Sequence, residues 1–114
     1  MALERGKLTN VVQVAAGATV GIVTVASSKK VYIKSIIAHA AGVGVATATA
    51  QVYFCPVGVN SSRTNKIFDV DIQSGESILL EPSYPLVLDT TGDSLQVGAG
   101  STIVNFLITG DKEA

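Results

Sequence analysis

Few side chains in this sequence could carry chemistry, and their spacing limits what they can do. His39 is the one imidazole and Cys55 the one thiol. A Ser-His-Asp or Cys-His nucleophile would have to be assembled around that histidine. It stands between Ala38 and Ala40 at the end of a strand-like run, and the sequence assembles no such set around it, although Cys55 or a serine could lie near it in the fold. Zinc needs about four His, Cys or carboxylate ligands, so one His and one Cys would suffice only if copies shared ligands at an axis. Asp69 and Asp71, two residues apart, could act as paired carboxylates or bind calcium. That spacing is also the ordinary solvated face of a strand, and this reading is favoured. Gly42-Val43-Gly44 is not a phosphate loop, because no Lys-Ser/Thr follows and no helix opens there. No catalytic residue, metal or cofactor is expected, and the chain reads as no enzyme.

Binding chemistry is nearly as sparse. Lys29, Lys30 and Lys34 with Tyr32 among them resemble a small basic strand that could hold a single-stranded nucleic acid. The patch is small and the chain carries a net charge of -1, so nucleic acid is not favoured as a partner. Tyr32 and Tyr53 read as outward and offer at most a small stacking surface for a glycan. Cys55 closes the apolar run Val52-Tyr53-Phe54-Cys55 and reads as a small buried hydrophobe rather than a reactive thiol.

The elements that must position these residues are β-strands. The 114 residues are 47% hydrophobic and 15% charged, enough for one domain with a core and no disulfide staple. Nothing at the N-terminus resembles a secretory signal, and no run approaches the ~18 apolar residues of a membrane span. The expected setting is a cytoplasm or a particle assembled there, without a membrane partner.

Residues 1–10 read as a polar arm, 11–110 as the folded domain and 111–114 as a charged tail. Short β-branched runs separated by turn residues follow the arm. They span Asn10–Ala15, Thr19–Ala26, Lys30–Ala40, Ala46–Phe54, Ile67–Gln73, Glu76–Glu81, Leu86–Leu88, Ser94–Ala99 and Thr102–Thr109. Alternation puts Val31, Ile33 and Ile37 on one face of the third run and Lys30, Tyr32 and Lys34 on the other. Ala48, Ala50, Val52, Phe54, Phe68, Val70, Ile72, Val104, Phe106 and Ile108 should face inward. No helix is expected. Eight or nine antiparallel strands must close a core as two packed sheets, so the expected fold is an all-β sandwich, of jelly-roll type. Ile36, Ala38, Leu79, Val87 and Leu107 then fall on outward faces, where a partner could cover them.

Charge is unevenly spread. Through Lys66 the only acid is Glu4; from Ile67 onward the only base is Lys112. Either the halves interleave and balance, or a basic and an acidic patch steer copies together head to tail or in rings.

One order of motifs rises above a generic sandwich. The stretch Val20-Gly21-Ile22-Val23-Thr24-Val25-Ala26 leads through a turn with Lys29 to Lys30-Val31-Tyr32-Ile33-Lys34-Ser35-Ile36. Phe68 to Ser77, Pro85-Leu86-Val87-Leu88 and Gly92-Asp93-Ser94-Leu95-Gln96-Val97 follow in that order. From Thr19 to Thr109 this resembles small β-sandwich virion proteins of tailed bacteriophages. Where those chains usually have Pro-Ala-Gly before the Lys, this one has Ala26-Ser27-Ser28. The resemblance implies a head decoration (cement) protein. The alternatives are a neck, tail or baseplate accessory, or a host-surface or glycan-binding module on the tail. It further implies a homo-oligomer, with a trimer favoured, and a major capsid protein or other virion protein as partner. The interface is expected at Leu3, Arg5, Lys7, Lys30, Tyr32, Lys34, Ile36 and Leu107. Removing residues 1–10 should leave the domain folded and weaken attachment.

Overall fold

The computed structural model describes residues 3–26, 29–42, 47–100 and 102–113. The turn expected at Ser27-Ser28 lies outside the described residues, as do Val43-Gly44, the start of the Ala46 run and Ser101. Among the described residues ten strands form, all antiparallel: β1 (Leu3–Lys7), β2 (Val12–Val14), β3 (Thr19–Thr24), β4 (Val31–Ala40), β5 (Thr47–Cys55), β6 (Lys66–Gln73), β7 (Ser77–Leu80), β8 (Leu86–Leu88), β9 (Ser94–Ala99) and β10 (Val104–Glu113). One sheet runs β1-β10-β4-β7, with β2 also on β10 and β8 also on β4; the other runs β3-β9-β5-β6. Their inner faces meet to form an all-β sandwich, as the alternating runs require.

The chain pairs like a folded ribbon. β2 lies on β10, β3 on β9, β4 on β7 and β8, and β5 on β6. Rolling that ribbon also sets β10 beside β4 and β9 beside β5. Phe106, Ile33, Leu88, Leu95 and Ile108 are the largest side chains wholly out of solvent.

Asp93, in the Gly92-Asp93-Ser94-Leu95 turn, holds three segments together. Its Oδ1 accepts the amide of Val57 at 3.0 Å and its Oδ2 that of Thr90 at 3.2 Å. Its carbonyl accepts the amide of Val25 at 2.9 Å. A carboxylate buried in this way is held by backbone donors, so this acid acts as a structural clamp.

Three sequence expectations are corrected. The tenth strand comes from the supposed arm: Leu3–Lys7 pairs with Thr109–Glu113, so most of the supposed tail is strand as well. Leu8 packs against the core, its amide bonds the Ile108 carbonyl at 2.8 Å, and Thr9 Oγ1 accepts the Ile108 amide at 3.3 Å. Removing residues 1–10 would therefore take away an edge strand and, beyond Lys7, core and ladder contacts as well. The second correction lies in β4. Thr109 pairs with Ser35, but Gly110 pairs with Ile33, so Lys34 is an extra residue bulged out of the ladder. A bulge reverses the faces beyond it, which turns Ile36 and Ala38 into the core and Ile37 outward. The third is Tyr53. It lies on the outer face but is only 8% exposed, with the Lys66 ammonium 5.7 Å from its ring centre.

Candidate interaction face

The outer face of the β1-β10-β4-β7 sheet can be built row by row from the strand register. Paired residues share a face, and alternate residues return to it. One row joins Arg5, Asp111, Tyr32 and Val87 across β1, β10, β4 and β8. Lys34 bulges beside it. Next come Lys7, Thr109 and Ser35, where the Thr109 and Ser35 hydroxyls share a hydrogen bond. Leu107, Ile37 and Leu79 then form an apolar row. Gln13, Asn105, His39 and Ser77 close the face, with His39 Nδ1 and Ser77 Oγ hydrogen-bonded at 2.8 Å.

Seven of the eight expected interface residues lie on this face or at its border. Leu3, Arg5 and Lys7 share one side of β1, and Tyr32, Lys34 and Leu107 join them. Lys30 stands at the foot of β4, where its amide bonds Glu113 Oε1 at 2.8 Å. Ile36 is the exception: it is 2% exposed in the core, and Ile37 takes its place outside. Alternation alone missed Ile37 because the bulge at Lys34 leaves no mark in the hydrophobic pattern. Leu79 is 52% exposed and Val87 38%, both at the β7 and β8 edge of this face.

Asp111 is the electrostatic centre of the face. Its side chain is nearly out of solvent, 2.7 Å from Lys34 Nζ and 3.4 Å from Arg5 Nε. The hydrogen bond from Lys34, with the positive charge of Arg5 beside it, holds the Asp111 carboxyl below its ordinary range despite partial desolvation. A carboxyl whose pKa is lowered by folding stabilises the fold above its unfolded pKa of about 3.9. That stabilisation is lost as pH falls through the folded value. Asp111→Asn is therefore expected to unfold at lower denaturant than the parent at neutral pH, with the gap closing below about pH 4. Urea titrations across this range check it; a gap independent of pH would remove Asp111 from the account.

Some charges of the two halves meet within the chain. Arg5 and Lys34 meet Asp111, Lys66 meets Asp69 at 2.9 Å, and Lys112 meets Glu4 at 4.0 Å. The bond to Asp69 raises the Lys66 pKa above its usual value. Asp71 accepts the Thr49 hydroxyl at 3.0 Å, so both strand carboxylates have ordinary partners. Cys55 is buried on β5 in the other sheet, and burial pushes its thiol pKa up. Among the described residues no group of three or more His, Cys, Asp or Glu is placed to hold a metal.

Among the described residues, a cleft opens between the sheets on each side. The larger, about 690 Å³, lies where β6 faces β7 and β8; Ile36, Val52, Phe54, Phe68, Leu80 and Leu86 line it with Pro56 and Pro82. The smaller, about 370 Å³, lies on the opposite side where β3 faces β1. Sequence reasoning put Phe54 and Phe68 on the correct face without showing that the core stays open there. It also passed over Tyr84, 85% exposed between Pro82 and Pro85.

Fold and face together define an antiparallel two-sheet sandwich with a mixed charged and apolar outer surface. Neither a protein-family model nor a curated protein matches the sequence. Among solved structures, it is similar to a chain in the structure of infectious bursal disease virus Gt strain. There the TM-score is 0.44 at 12% identity, over 97% of this chain and 32% of that one. It is also similar to a chain in the cryo-EM structure of the giant freshwater prawn Macrobrachium rosenbergii extra small virus (XSV) VLP. That match has a TM-score of 0.44 at 13% identity, over 100% of this chain and 81% of that one. The chain thus spans about a third of the first relative, and no residue role is transferred from either.

Proposed function

We propose that this chain is a non-enzymatic virion structural protein of the tailed-phage kind. It acts as a decoration or cement protein, laying the outer face of its β1-β10-β4-β7 sheet on a capsid lattice assembled in the host cytoplasm. One observation carries the reading. Leu3, Arg5, Lys7, Tyr32, Lys34 and Leu107 converge on that face around the row Leu107, Ile37 and Leu79. Apolar anchors inside a polar border are what a specific contact uses, and such a contact needs on the order of 1,000 Å² of buried surface. The ribbon pairing also supports the jelly-roll form of sandwich, in which strands from opposite ends of the chain pair in this order.

The test uses exposed positions. Leu3→Asp combined with Leu79→Asp changes stability by about 0.5 kcal/mol or less at each site and is expected to weaken co-sedimentation with purified capsids on the order of tenfold or more. A folded double variant that binds as the parent does would sink the proposal. Copy number in purified particles, measured by mass spectrometry against the major capsid protein, separates the alternatives. Near-lattice stoichiometry supports a cement role, whereas a few to a few dozen copies would support a neck, tail or baseplate part.

A further inference from the structure

Each sheet is four columns wide and antiparallel throughout, so its two outer edges run in opposite directions. A second copy placed alongside in the same orientation would meet each edge in antiparallel register. In the β1-β10-β4-β7 sheet both edges are guarded. β1 carries Glu4, Arg5 and Lys7, while β7 and β8 are short and separated by Pro82 and Pro85. The other sheet differs. Its β3 edge, Thr19–Thr24, has no charged residue and no proline, and its β6 edge, which carries Lys66, Asp69 and Asp71, is unpaired among the described residues.

Charge distinguishes head-to-tail pairing from two-fold pairing. The side bearing β1 and β3 carries Arg5, Lys7, Lys29 and Lys112, with Lys30 beside Glu113, against Glu4, Asp111 and Glu113. The side bearing β6, β7 and β8 carries Asp69, Asp71, Glu76, Glu81 and Asp89 against Arg63 and Lys66. A two-fold axis would set like against like, whereas a head-to-tail contact sets the basic side of one copy on the acidic side of the next.

We infer that a second copy of this chain docks head to tail, its β3 edge laid antiparallel along β6. The β6 edge borders the 690 Å³ cleft, so the contact also brings a neighbour against the open core. Bulges at Ile22 and Ile67 confine the regular ladder to short stretches of each edge. Flanking charge therefore supplies much of the attraction, and association depends on salt. Such docking needs no capsid and is a property of the isolated protein.

The experiment is sedimentation velocity of the full chain at about 0.01 M and about 1 M ionic strength, where the Debye length falls from about 30 to about 3 Å. Concentration-dependent association at low salt, lost at high salt, is expected. Lys29→Glu with Lys30→Glu makes both sides acidic, and Glu76→Lys with Glu81→Lys makes both basic. Each double variant alone should associate at least about tenfold more weakly, and a one-to-one mixture should recover the complex. A third variant, Gly21→Glu, places an acid on the β3 edge. Nothing lies within 4 Å of the added Cβ, so the fold, checked by circular dichroism, should be kept while pairing is lost. A monomer at every concentration and salt, or variants that associate as the parent does, would overturn the inference. So would a mixture that stays dissociated.

Discussion

Replacing Gly110 with alanine is expected to cost about 4 kcal/mol or more, an effect large enough to unfold many domains of this size. The cause is the bulge at Lys34, which pushes the backbone of β4 toward β10 opposite Gly110. A Cβ on Gly110 would lie inside van der Waals contact with the Tyr32 carbonyl oxygen, 3.0 Å from the Tyr32 carbonyl carbon and 3.1 Å from the Lys34 amide nitrogen. All three are backbone atoms of the central strand pair. Relief would require breaking the ladder that joins both halves of the sheet. Urea unfolding of Gly110→Ala beside the parent measures the cost. A change below about 1 kcal/mol, the size of an ordinary mutation, would mean that the bulge relaxes easily or is absent.

The second large effect is a contrast between neighbours. Ile36→Ala is expected to cost about 2–5 kcal/mol, because it empties a core position, whereas Ile37→Ala on the outer face should cost well under that. Ile36 is 2% exposed and packs with Val52 and Leu80 at the wall of the larger cleft. Ile37 lies on the outer face, part exposed, in the row between Leu107 and Leu79. Equilibrium denaturation of both variants decides the register of β4 beyond Lys34. Equal costs, or the reverse order, would place the bulge elsewhere.

These two residues also show how far the sequence could be read. Period-two alternation placed Val31, Ile33, Phe68, Ile72, Phe106 and Ile108 correctly, because along an unbroken strand the pleat alone sets the facing. It placed Ile36 and Ile37 wrongly because one extra residue reverses every facing beyond it. The bulge is fixed by close packing against Gly110, a contact between residues 76 positions apart in the chain. β1 was illegible for another reason. All five of its residues are exposed, so it has no apolar period, and it is held by pairing to β10 alone. The interface residues were read as a collection of outward cations and apolar groups. The register of β1, β10 and β4 gathers them, and register between distant strands is set by contacts that no local pattern encodes. The open cleft was hidden too, since alternation gives the direction of Phe54 and Phe68 but not how closely the opposite sheet approaches them.

β10 occupies the centre of its sheet, bonded on one side to β1 and β2 and on the other to β4. During translation, β1, β2 and β4 therefore leave the ribosome long before the strand that joins them exists. Until Glu113 emerges, β4 lacks its longest partner and β1 has no partner at all. Folding is thus a late step dominated by contacts distant in sequence, which is the slow regime for all-β chains. A nascent chain stalled within β10 would expose the edge of β4, making it a target for chaperones or for pairing with other nascent copies.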